Sequence, residues 1–308
     1  MEKCRIAVLI TCHNRKQKTI DSLKALFAQD PPLNAQLLVY LVDDGSTDGT
    51  AEAISTAFPD VKILQGDGNL FWNRGMCLAF DEALKADYDF YLWLNDDTLL
   101  YKNAIAVLLN AFQELVKQTG TSPIIVGSVC DPVTGLSTYG GAIKVAWWHP
   151  FRYRRLEPDR SPKPCDTMNG NCVLVPRGVT SAIGGLDPAF SHTSGDFDYG
   201  LRARKKGCSV WLAPGYVGTC PRNSYQESCM HDPEMGLWER WQKIVQPKGL
   251  PPSEFRVMAQ RHGGPLWPLY WMMPYVRLTL MSLFGGLMRP IRKSRAPLSG
   301  GEQEEANN

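Results

Sequence analysis

Residues 41–50 are Leu-Val-Asp-Asp-Gly-Ser-Thr-Asp-Gly-Thr, and this stretch decides the class of fold. It ends an apolar run, residues 37–42, which has the length and composition of a buried strand. The acidic residues and glycines that follow favour a turn, and the turn opens a helix. The stretch therefore predicts a strand, a polar loop and a helix in succession.

The same alternation continues through the first 130 residues. Apolar runs lie at residues 6–10, 37–42, 61–64, 90–94 and 124–129, and helical patterns lie at 18–28, 75–86 and 101–118. Strands rich in Val, Ile and Leu with helical crossovers predict an α/β fold with a mainly parallel, Rossmann-like sheet covered on both faces. Residues 131–164 then predict a hairpin and a long loop, followed by a strand at 172–175 and a short helix at 196–206.

Composition excludes several classes of protein. The chain has 308 residues, of which 44% are hydrophobic and 21% charged, as in soluble globular proteins, so it is not a disordered chain, a fibre or a polytopic membrane protein. A net charge of +2 argues against a nucleic-acid binder. The nine cysteines form no C-x-x-C pair, and the N-terminal apolar run is too short for a signal peptide, so a reducing cytoplasm is expected.

Three polar loops follow the first, second and fourth predicted strands. They are Thr-Cys-His-Asn-Arg at 11–15, Asp-Asp-Gly-Ser at 43–46 and Asn-Asp-Asp-Thr at 95–98. Ligands of such sheets bind beyond the carboxyl ends of the strands, where all three loops would meet one ligand. Neighbouring carboxylates there suit a divalent cation that bridges to phosphate oxygens. The structural alternative is that Asp44 and Asp97 cap helices.

These three segments resemble inverting family 2 glycosyltransferases of the GT-A fold, over roughly residues 5–220 judged by motif order. The resemblance implies that the first loops hold the nucleotide-diphosphate sugar donor. It also implies that residues 66–75, which contain Gly-Asp-Gly-Asn-Leu-Phe-Trp, lie near the diphosphate, with a helix N-terminus at Gly75 favouring that anion. The expected donor-binding residues are Thr11, Asn14, Arg15, Asp43, Asp44, Gly68, Asn69, Arg74, Asn95 and Asp96.

The second half resembles the acceptor part of the same family. Residues 194–204 match its E-D-x-D-L-x-x-R helix start, with Gly195 in place of the Glu. The match assigns the general base to Asp196, which would remove the proton of the attacking acceptor hydroxyl. Asp198 is the competing carboxylate, and its structural alternative is pairing with Arg202 along the helix. Gly170, Asn171 and Asp198 are expected on the acceptor side.

The segment Asn95-Asp96-Asp97 stands where the family has its D-x-D motif. With Asn in the first position, Asp97 is the expected ligand of Mg²⁺ or Mn²⁺, which would stabilise the departing diphosphate. His192 and His231 are further candidate ligands, because some members of the family place a late His on the metal.

The C-terminal region changes character. Residues 266–288 carry one charge, Arg277, and are long enough for a membrane span, but Pro268 and Pro274 interrupt them. Aromatic residues crowd one half, and four basic residues follow at 289–295. The pattern favours a helix lying on an anionic membrane surface. A true span, or a helix packed on the core or on a partner subunit, are the alternatives.

The predicted domain organisation follows from these segments. A GT-A catalytic domain spans 1–220, with a nucleotide-sugar half at 1–130 and an acceptor half at 131–220. A helical extension at 221–261, a membrane-associating segment at 262–295 and a disordered tail at 296–308 follow.

The resemblance implies transfer of a sugar, from dTDP-rhamnose or a UDP-sugar, to a hydroxyl of a glycan or lipid-linked glycan in cell-surface polysaccharide synthesis. The expected location is the inner face of the cytoplasmic membrane, and no nucleic-acid partner is expected. One alternative is a catalytically inactive glycan-binding or scaffold protein. The other is a sugar nucleotidyltransferase, which would carry a Gly-rich basic loop after the first strand.

Overall fold

A computed structural model describes residues 3–30, 35–222 and 235–284 of the chain. In chain order the strands are β1 (Cys4–Cys12), β2 (Ala35–Asp43), β3 (Lys62–Gln65), β4 (Phe90–Leu94), β5 (Leu99–Leu100), β6 (Ile124–Cys130), β7 (Ser137–Tyr139), β8 (Gly141–Lys144), β9 (Tyr153–Arg155), β10 (Lys163–Cys165), β11 (Thr167–Met168), β12 (Cys172–Pro176) and β13 (Val210–Thr219). The helices are α1 (Lys16–Phe27), α2 (Thr50–Ala57), α3 (Phe71–Ala83), α4 (Ala104–Thr119), α5 (Arg177–Ile183), α6 (Gly195–Lys205), α7 (Leu237–Ile244), α8 (Pro252–His262) and α9 (Trp267–Phe284).

Most strands of the described residues belong to one central sheet. Its order is β10-β13-β6-β12-β4-β1-β2-β3, with β5 paired to β13 and β7 to β6, while β11-β8-β9 form a small second sheet. Strands β3, β2, β1 and β4 run parallel, and β12 runs antiparallel between β4 and β6. The predicted α/β fold with a mainly parallel central sheet is confirmed.

Strand β1 lies at the centre of the core, and its side chains face two different apolar layers. Ile6, Val8 and Ile10 pack with side chains of α1, α2 and α4, whereas Ala7 and Leu9 pack with side chains of α3. All five are fully buried. The continuous apolar run of β1 is therefore explained by a strand covered on both faces.

Strand β1 also marks the point where the strand order reverses. It pairs with β2 on one side and with β4 on the other, both in parallel. The loops that leave β1 and β4 at their carboxyl ends therefore lie side by side, at the position where open α/β sheets bind ligands. The fold thus brings the first and third polar loops together, as the sequence predicted.

The C-terminal helices pack against the catalytic half through a separate apolar cluster. Phe190, from the loop before α6, is fully buried among side chains of α7, α8 and α9. Within the described ranges, no helix is long and apolar enough to cross a membrane.

A buried ion cluster reinforces this contact between α6 and α8. The Asp198 carboxylate, fully buried, accepts hydrogen bonds from Arg202 Nε (2.7 Å) and Arg261 Nη1 (3.1 Å) and bonds to His262 Nε2 (2.9 Å). Burial by itself raises the pKa of Asp198, but the bonds from His262 and Arg202 outweigh it and hold that pKa below its usual value. Asp198 therefore fastens the C-terminal helices to α6, and its expected place on the acceptor side is not what the structure shows.

We expect Asp198→Ala to lower the free energy of unfolding by about 3 kcal/mol, because it leaves two guanidinium groups and His262 without their shared carboxylate. Urea unfolding followed by circular dichroism measures the change. Asp21→Ala is the control, since the contacts of Asp21 are exposed ones on the same helix: a pair with Lys24 at 3.6 Å and a hydrogen bond from Gln17 Nε2 at 2.9 Å. A loss as small as that of the control would contradict a stabilising role for the cluster.

Candidate active site

A cleft of about 840 Å³ opens at the carboxyl ends of β1, β2 and β4, which is within the size range of small-molecule sites. The candidate residues that line it come from all three polar loops and from the second half of the chain. They are Thr11, Arg15, Asp44, Gly68, Asn95, Asp96, Asp97, Gly170, Asn171, His192 and Asp196. One cleft thus collects most of the residues that the sequence singled out.

Two residues that were predicted to bind the nucleotide-sugar donor instead stabilise the conformation of the loops. The Asn14 side-chain oxygen accepts a hydrogen bond from the backbone N–H of Thr47 at 2.8 Å, which joins the first loop to the second. The Asp43 carboxylate accepts the N–H of Ser46 at 3.1 Å and is buried. Neither side chain lines the cleft described by the structure, so both act there as supports for neighbouring residues.

Three further candidates do not reach the cleft, and one cannot be placed. Asn69 is exposed, and Arg74 donates from Nε to the carbonyl of Pro188 at 3.1 Å. Asp198 lies in the ion cluster beneath α8. His231 falls outside the described residues.

The most strongly charged part of the cleft is a cluster of Arg15, Asp96 and Asp97. Arg15 Nη1 bonds Asp96 Oδ1 at 3.1 Å and Asp97 Oδ2 at 2.9 Å. Asp97 Oδ1 accepts a weaker hydrogen bond from the Cys220 thiol at 3.4 Å. Burial raises the pKa of Asp96 to about 7 although Arg15 acts in the opposite direction. The two carboxylates therefore form a site that favours positive charge.

The carboxylates of Asp96 and Asp97 suit a hard divalent cation. Mg²⁺ in enzymes is often held by one or two carboxylates together with substrate phosphates. Among the residues that the structure describes, no group of three or more His, Cys, Asp and Glu side chains is arranged so that it could hold a metal ion. Phosphate oxygens of a bound nucleotide would therefore have to complete the coordination of a metal here.

Asp44 shows why α3 begins at Phe71 rather than at the predicted Gly75. Its carboxylate accepts the backbone N–H groups of Gly68 (2.9 Å), Leu70 (3.2 Å) and Phe71 (2.9 Å). These bonds satisfy donors that a helix start leaves free. The expectation that a helix N-terminus at Gly75 favours the diphosphate is therefore wrong, because the helix starts earlier and a protein carboxylate already bonds its first N–H groups.

Trp72 links the third polar loop to the acceptor side. Its Nε1 donates to the side-chain oxygen of Asn95 at 2.7 Å. A Cβ at Gly170 would lie 2.4 Å from the Trp72 ring, so only glycine fits beside it. Asn95 thus holds a tryptophan in the cleft wall, and the close approach expected at Gly170 is made by the Trp72 ring.

Asp196 lies at the start of α6 with its carboxylate fixed by backbone donors. Oδ2 accepts the N–H of Gly170 at 2.9 Å, and Oδ1 accepts the N–H of Phe197 at 2.8 Å. Burial raises its pKa to about 6, and the backbone hydrogen bonds act against that rise. At neutral pH the group is mostly ionised and still basic enough to accept a proton, which suits a general base.

Backbone strain in the described residues concentrates around this cleft. The non-glycine residues with positive φ are Asn14 (51°), Phe71 (55°) and Ser194 (71°). Phe71 and Ser194 line the cleft, and Asn14 directly precedes Arg15. Such strain is often kept where it places functional side chains. Here it positions Arg15, the first turn of α3 and the first turn of α6.

The side chain of Asn73 leaves room only for glycine at residue 195. The buried Asn73 donates from Nδ2 to the carbonyls of Asp187 (2.7 Å) and Phe190 (2.8 Å). A Cβ on residue 195 would lie 1.9 Å from Asn73 Oδ1. The residue type found at 195, in place of the family's Glu, therefore follows from the asparagine that clamps the preceding loop.

The sequence reasoning missed one wall of the cleft. Lys248, Leu250, Phe255 and Met258 contribute to it from the C-terminal helical region, and Phe151, Tyr153 and Phe197 lie on the acceptor side. The aromatic content of residues 131–164 was a signal for part of this wall. The helical extension predicted at 221–261 did not indicate what its apolar side chains pack against.

His192 also lines the cleft, with a buried Nδ1 that lacks a partner among the described residues. Burial, together with the nearby positive charges of Lys248 and Arg15, lowers its pKa to about 4. The ring is therefore neutral at pH 7.

Residues 7–184 match the family described as Glycosyl transferase family 2, which is more than half of the chain. The chain belongs to glycosyl transferase family 2. This glycosyltransferase is 30% identical over 256 residues to the N-acetylglucosaminyl-diphospho-decaprenol L-rhamnosyltransferase of Mycobacterium tuberculosis (strain CDC 1551 / Oshkosh). The match covers 76% of this chain and 78% of that relative.

Solved glycosyltransferase structures share the fold. The mannosyltransferase PcManGT from Pyrobaculum calidifontis, in complex with GDP-Man and Mn²⁺, has a TM-score of 0.51 at 16% identity, covering 93% of this chain and 76% of that chain. S. aureus TarS 1–349 has a TM-score of 0.53 at 12% identity, covering 92% and 75%.

GalNAc-T7 with UDP, GalNAc and Mn²⁺ has a TM-score of 0.54 at 16% identity. The match covers 71% of this glycosyltransferase but only 44% of the GalNAc-T7 chain, so this chain spans less than half the length of that one. Together with the central sheet, these likenesses confirm the GT-A fold of the glycosyltransferase.

We expect Gly195→Ala to lower the free energy of unfolding by about 1–3 kcal/mol, because the new methyl group overlaps Asn73 Oδ1. Asn73→Ala should also destabilise, since it removes the clamp on the 187–190 loop. In the double variant the overlap is gone. Its loss of unfolding free energy should therefore be smaller, by about 1 kcal/mol, than the sum of the losses in the two single variants. Chemical unfolding of all four proteins measures this coupling, and strict additivity would contradict the proposed contact.

Proposed function

We propose that this glycosyltransferase moves a sugar, with inversion, from a nucleoside diphosphate to a hydroxyl of a lipid-linked glycan. The observation that carries the proposal is that one cleft contains both the Arg15–Asp96–Asp97 cluster and the backbone-held carboxylate of Asp196. The first suits a diphosphate leaving group with its cation, and the second suits a base at the attacking hydroxyl. The relative named as an L-rhamnosyltransferase favours dTDP-rhamnose as donor.

The donor would lie along the ends of β1 and β4. Thr11, Gly68 and Asp96 line this part of the cleft and offer contacts to the nucleoside. Arg15 supplies a guanidinium, whose fork of N–H groups matches phosphate geometry. Asp96 and Asp97 hold Arg15 in the cleft, so a bound diphosphate would find its guanidinium already in place.

Asp97, together with Asp96, would hold Mg²⁺ or Mn²⁺ at the diphosphate. The cation supplies charge neutralisation for the leaving group when bound. Both carboxylates bond Arg15, and Asp97 is the better ligand of the two because its side chain is the more exposed, at 20% against 8% for Asp96. The Mn²⁺ named with PcManGT and with GalNAc-T7 supports this choice of cofactor.

Asp196 would remove the acceptor proton. The acceptor oxygen forms its bond to the anomeric carbon while the bond from that carbon to the phosphate oxygen breaks. The hydroxyl proton passes to the Asp196 carboxylate, and the nucleoside diphosphate leaves from the opposite face. The N–H groups of Gly170 and Phe197 keep the carboxylate in one orientation through these changes.

The alternative of an inactive scaffold rested on two departures from the family motifs, Asn95 and Gly195. Each has a packing reason, since Asn95 holds Trp72 and Gly195 makes room for Asn73. Neither departure removes the carboxylates of Asp96, Asp97 or Asp196. A catalytic role is therefore favoured over a scaffold.

We further propose that the enzyme acts at the inner face of the cytoplasmic membrane through residues 262–295. The Mycobacterium tuberculosis relative is an N-acetylglucosaminyl-diphospho-decaprenol L-rhamnosyltransferase by name, which supports a membrane-bound acceptor. The basic residues at 289–295 lie outside the described part of the chain.

We expect Asp196→Asn to reduce transfer by 10²–10⁴-fold (an order-of-magnitude range) while donor binding is retained, because the amide cannot accept the proton. The rate of the unaltered enzyme should fall as pH drops below about 6, since protonation of Asp196 removes the base. Transfer from dTDP-rhamnose to a lipid-linked acceptor is measured by product chromatography. Asp60→Asn, at an exposed carboxylate before β3, is the control, and an unimpaired Asp196→Asn enzyme would rule out the assigned base.

We expect Asp97→Ala to lose the Mn²⁺-dependent part of the stabilisation by dTDP or UDP. A ligand at a hundred times its Kd stabilises a fold by about 2.7 kcal/mol, which thermal unfolding resolves. Each nucleotide is titrated with and without Mn²⁺ in the unaltered protein, in Asp97→Ala and in the control Asp60→Ala, which changes an exposed carboxylate before β3. An equal Mn²⁺-dependent shift in Asp97→Ala would contradict the assigned ligand.

A further inference from the structure

Two tryptophans project from the loop between β8 and β9. The side chains of Trp147 and Trp148 are 91% and 54% exposed. Exposed tryptophans are unusual on soluble proteins unless they meet another apolar phase or a partner. Neither residue belongs to the cleft described above.

Helix α9 presents a second exposed apolar face beside this loop. Tyr275 and Leu278 are buried against α7 and α8, so the opposite side of α9 faces outward. The exposed apolar side chains of this face, together with that of Leu266 in the turn just before α9, are each between 45% and 58% accessible: Leu266, Leu269, Met272, Met273, Val276 and Leu280. These six residues with Trp147 and Trp148 form the docking surface.

Direct contacts join the two parts of the docking surface. The Tyr270 hydroxyl donates to the carbonyl of Trp148 at 2.7 Å. The Tyr270 ring also lies 5.1 Å from the His149 ring and 6.2 Å from the Phe151 ring, measured between centroids. Segments more than a hundred residues apart in sequence are thus held together, so the loop and the helix can meet one partner at the same time.

The segment that carries the tryptophans is also basic. Residues 141–156 include no acidic residue, and Lys144, Arg152 and Arg154 are exposed, whereas Arg155 lines the cleft and donates to the carbonyl of Thr138. Arg256 on α8 and Arg277 on α9 are also exposed. An apolar, tryptophan-bearing face bordered by Lys and Arg is the pattern that binds the headgroup region of anionic bilayers.

We propose that Trp147, Trp148 and the exposed face of α9 insert together into the surface of an anionic lipid bilayer. The proposal rests on the proposed function, and it adds to residues 262–295 a second anchor from the middle of the chain. The β8–β9 segment that carries Trp147 also carries Phe151 and Tyr153 of the cleft wall. Insertion of the loop therefore brings the acceptor side of the cleft to the bilayer, where a lipid-linked acceptor resides.

The full chain is tested by co-sedimentation with vesicles of phosphatidylglycerol and phosphatidylethanolamine, and with phosphatidylcholine vesicles. We expect binding to the anionic vesicles, a loss of at least about tenfold in the partition ratio for Trp147→Ser with Trp148→Ser, and a similar loss for Met272→Ser with Met273→Ser. The matched control is Val133→Ser with Leu136→Ser, which removes apolar side chains that are 91% and 70% exposed on the β6–β7 turn.

Two results would overturn the proposal. One is unchanged vesicle binding by the tryptophan variant. The other is a change from dimer to monomer in light scattering with unchanged vesicle binding, which would assign the docking surface to a second copy of the chain. Transfer to a water-soluble acceptor should be the same in the variant and the unaltered protein, so a failure of docking is distinguishable from a failure of the proposed reaction.

Discussion

Two neighbouring carboxylates at the end of a buried strand need a positive charge against them, and Arg15 provides it for Asp96 and Asp97. This contact requires the end of β1 to lie beside the end of β4. The parallel pairing of the two strands meets that requirement, and it can form because β1 is apolar on both faces. The core of the sheet and the charge of the cleft are therefore consequences of the same strand order.

Each departure of the glycosyltransferase from its family's motifs is matched by a second residue that contacts it. Asn95 replaces an acidic residue and bonds Trp72, whose ring in turn excludes any side chain at residue 170. Gly195 replaces a Glu and accommodates Asn73, which clamps the loop leading to α6. In both pairs an acidic residue of the motif is exchanged for a packed contact, next to Asp96 in the first pair and next to Asp196 in the second. Motif departures of this kind do not indicate loss of activity.

The sequence predicted the bounds of those elements that are determined by neighbouring residues. The run 90–94 was predicted as a strand and β4 has those bounds, because five apolar residues end at the polar Asn95. The start of α3 was predicted too late, since its cap is supplied by Asp44 from another loop. The C-terminal wall of the cleft was not foreseen either, because the ion pair that attaches α8 joins Asp198 to Arg261, far apart in sequence. A contact between residues so far apart in sequence produces no periodic pattern of hydrophobic and polar residues from which it could be predicted.

The choice between Asp196 and Asp198 as base follows from helix geometry. Two residues apart on α6, their side chains leave the helix about 200° apart, since each residue turns it by about 100°. Asp196 meets the cleft with backbone donors alone, and burial raises its pKa to about 6. Asp198 meets Arg202, Arg261 and His262, which hold its pKa low. Two carboxylates whose environments shift their pKa values in opposite directions are suited to different roles. A carboxylate fully engaged by cations has little basicity left, which supports the proposal of Asp196, rather than Asp198, as the proton acceptor.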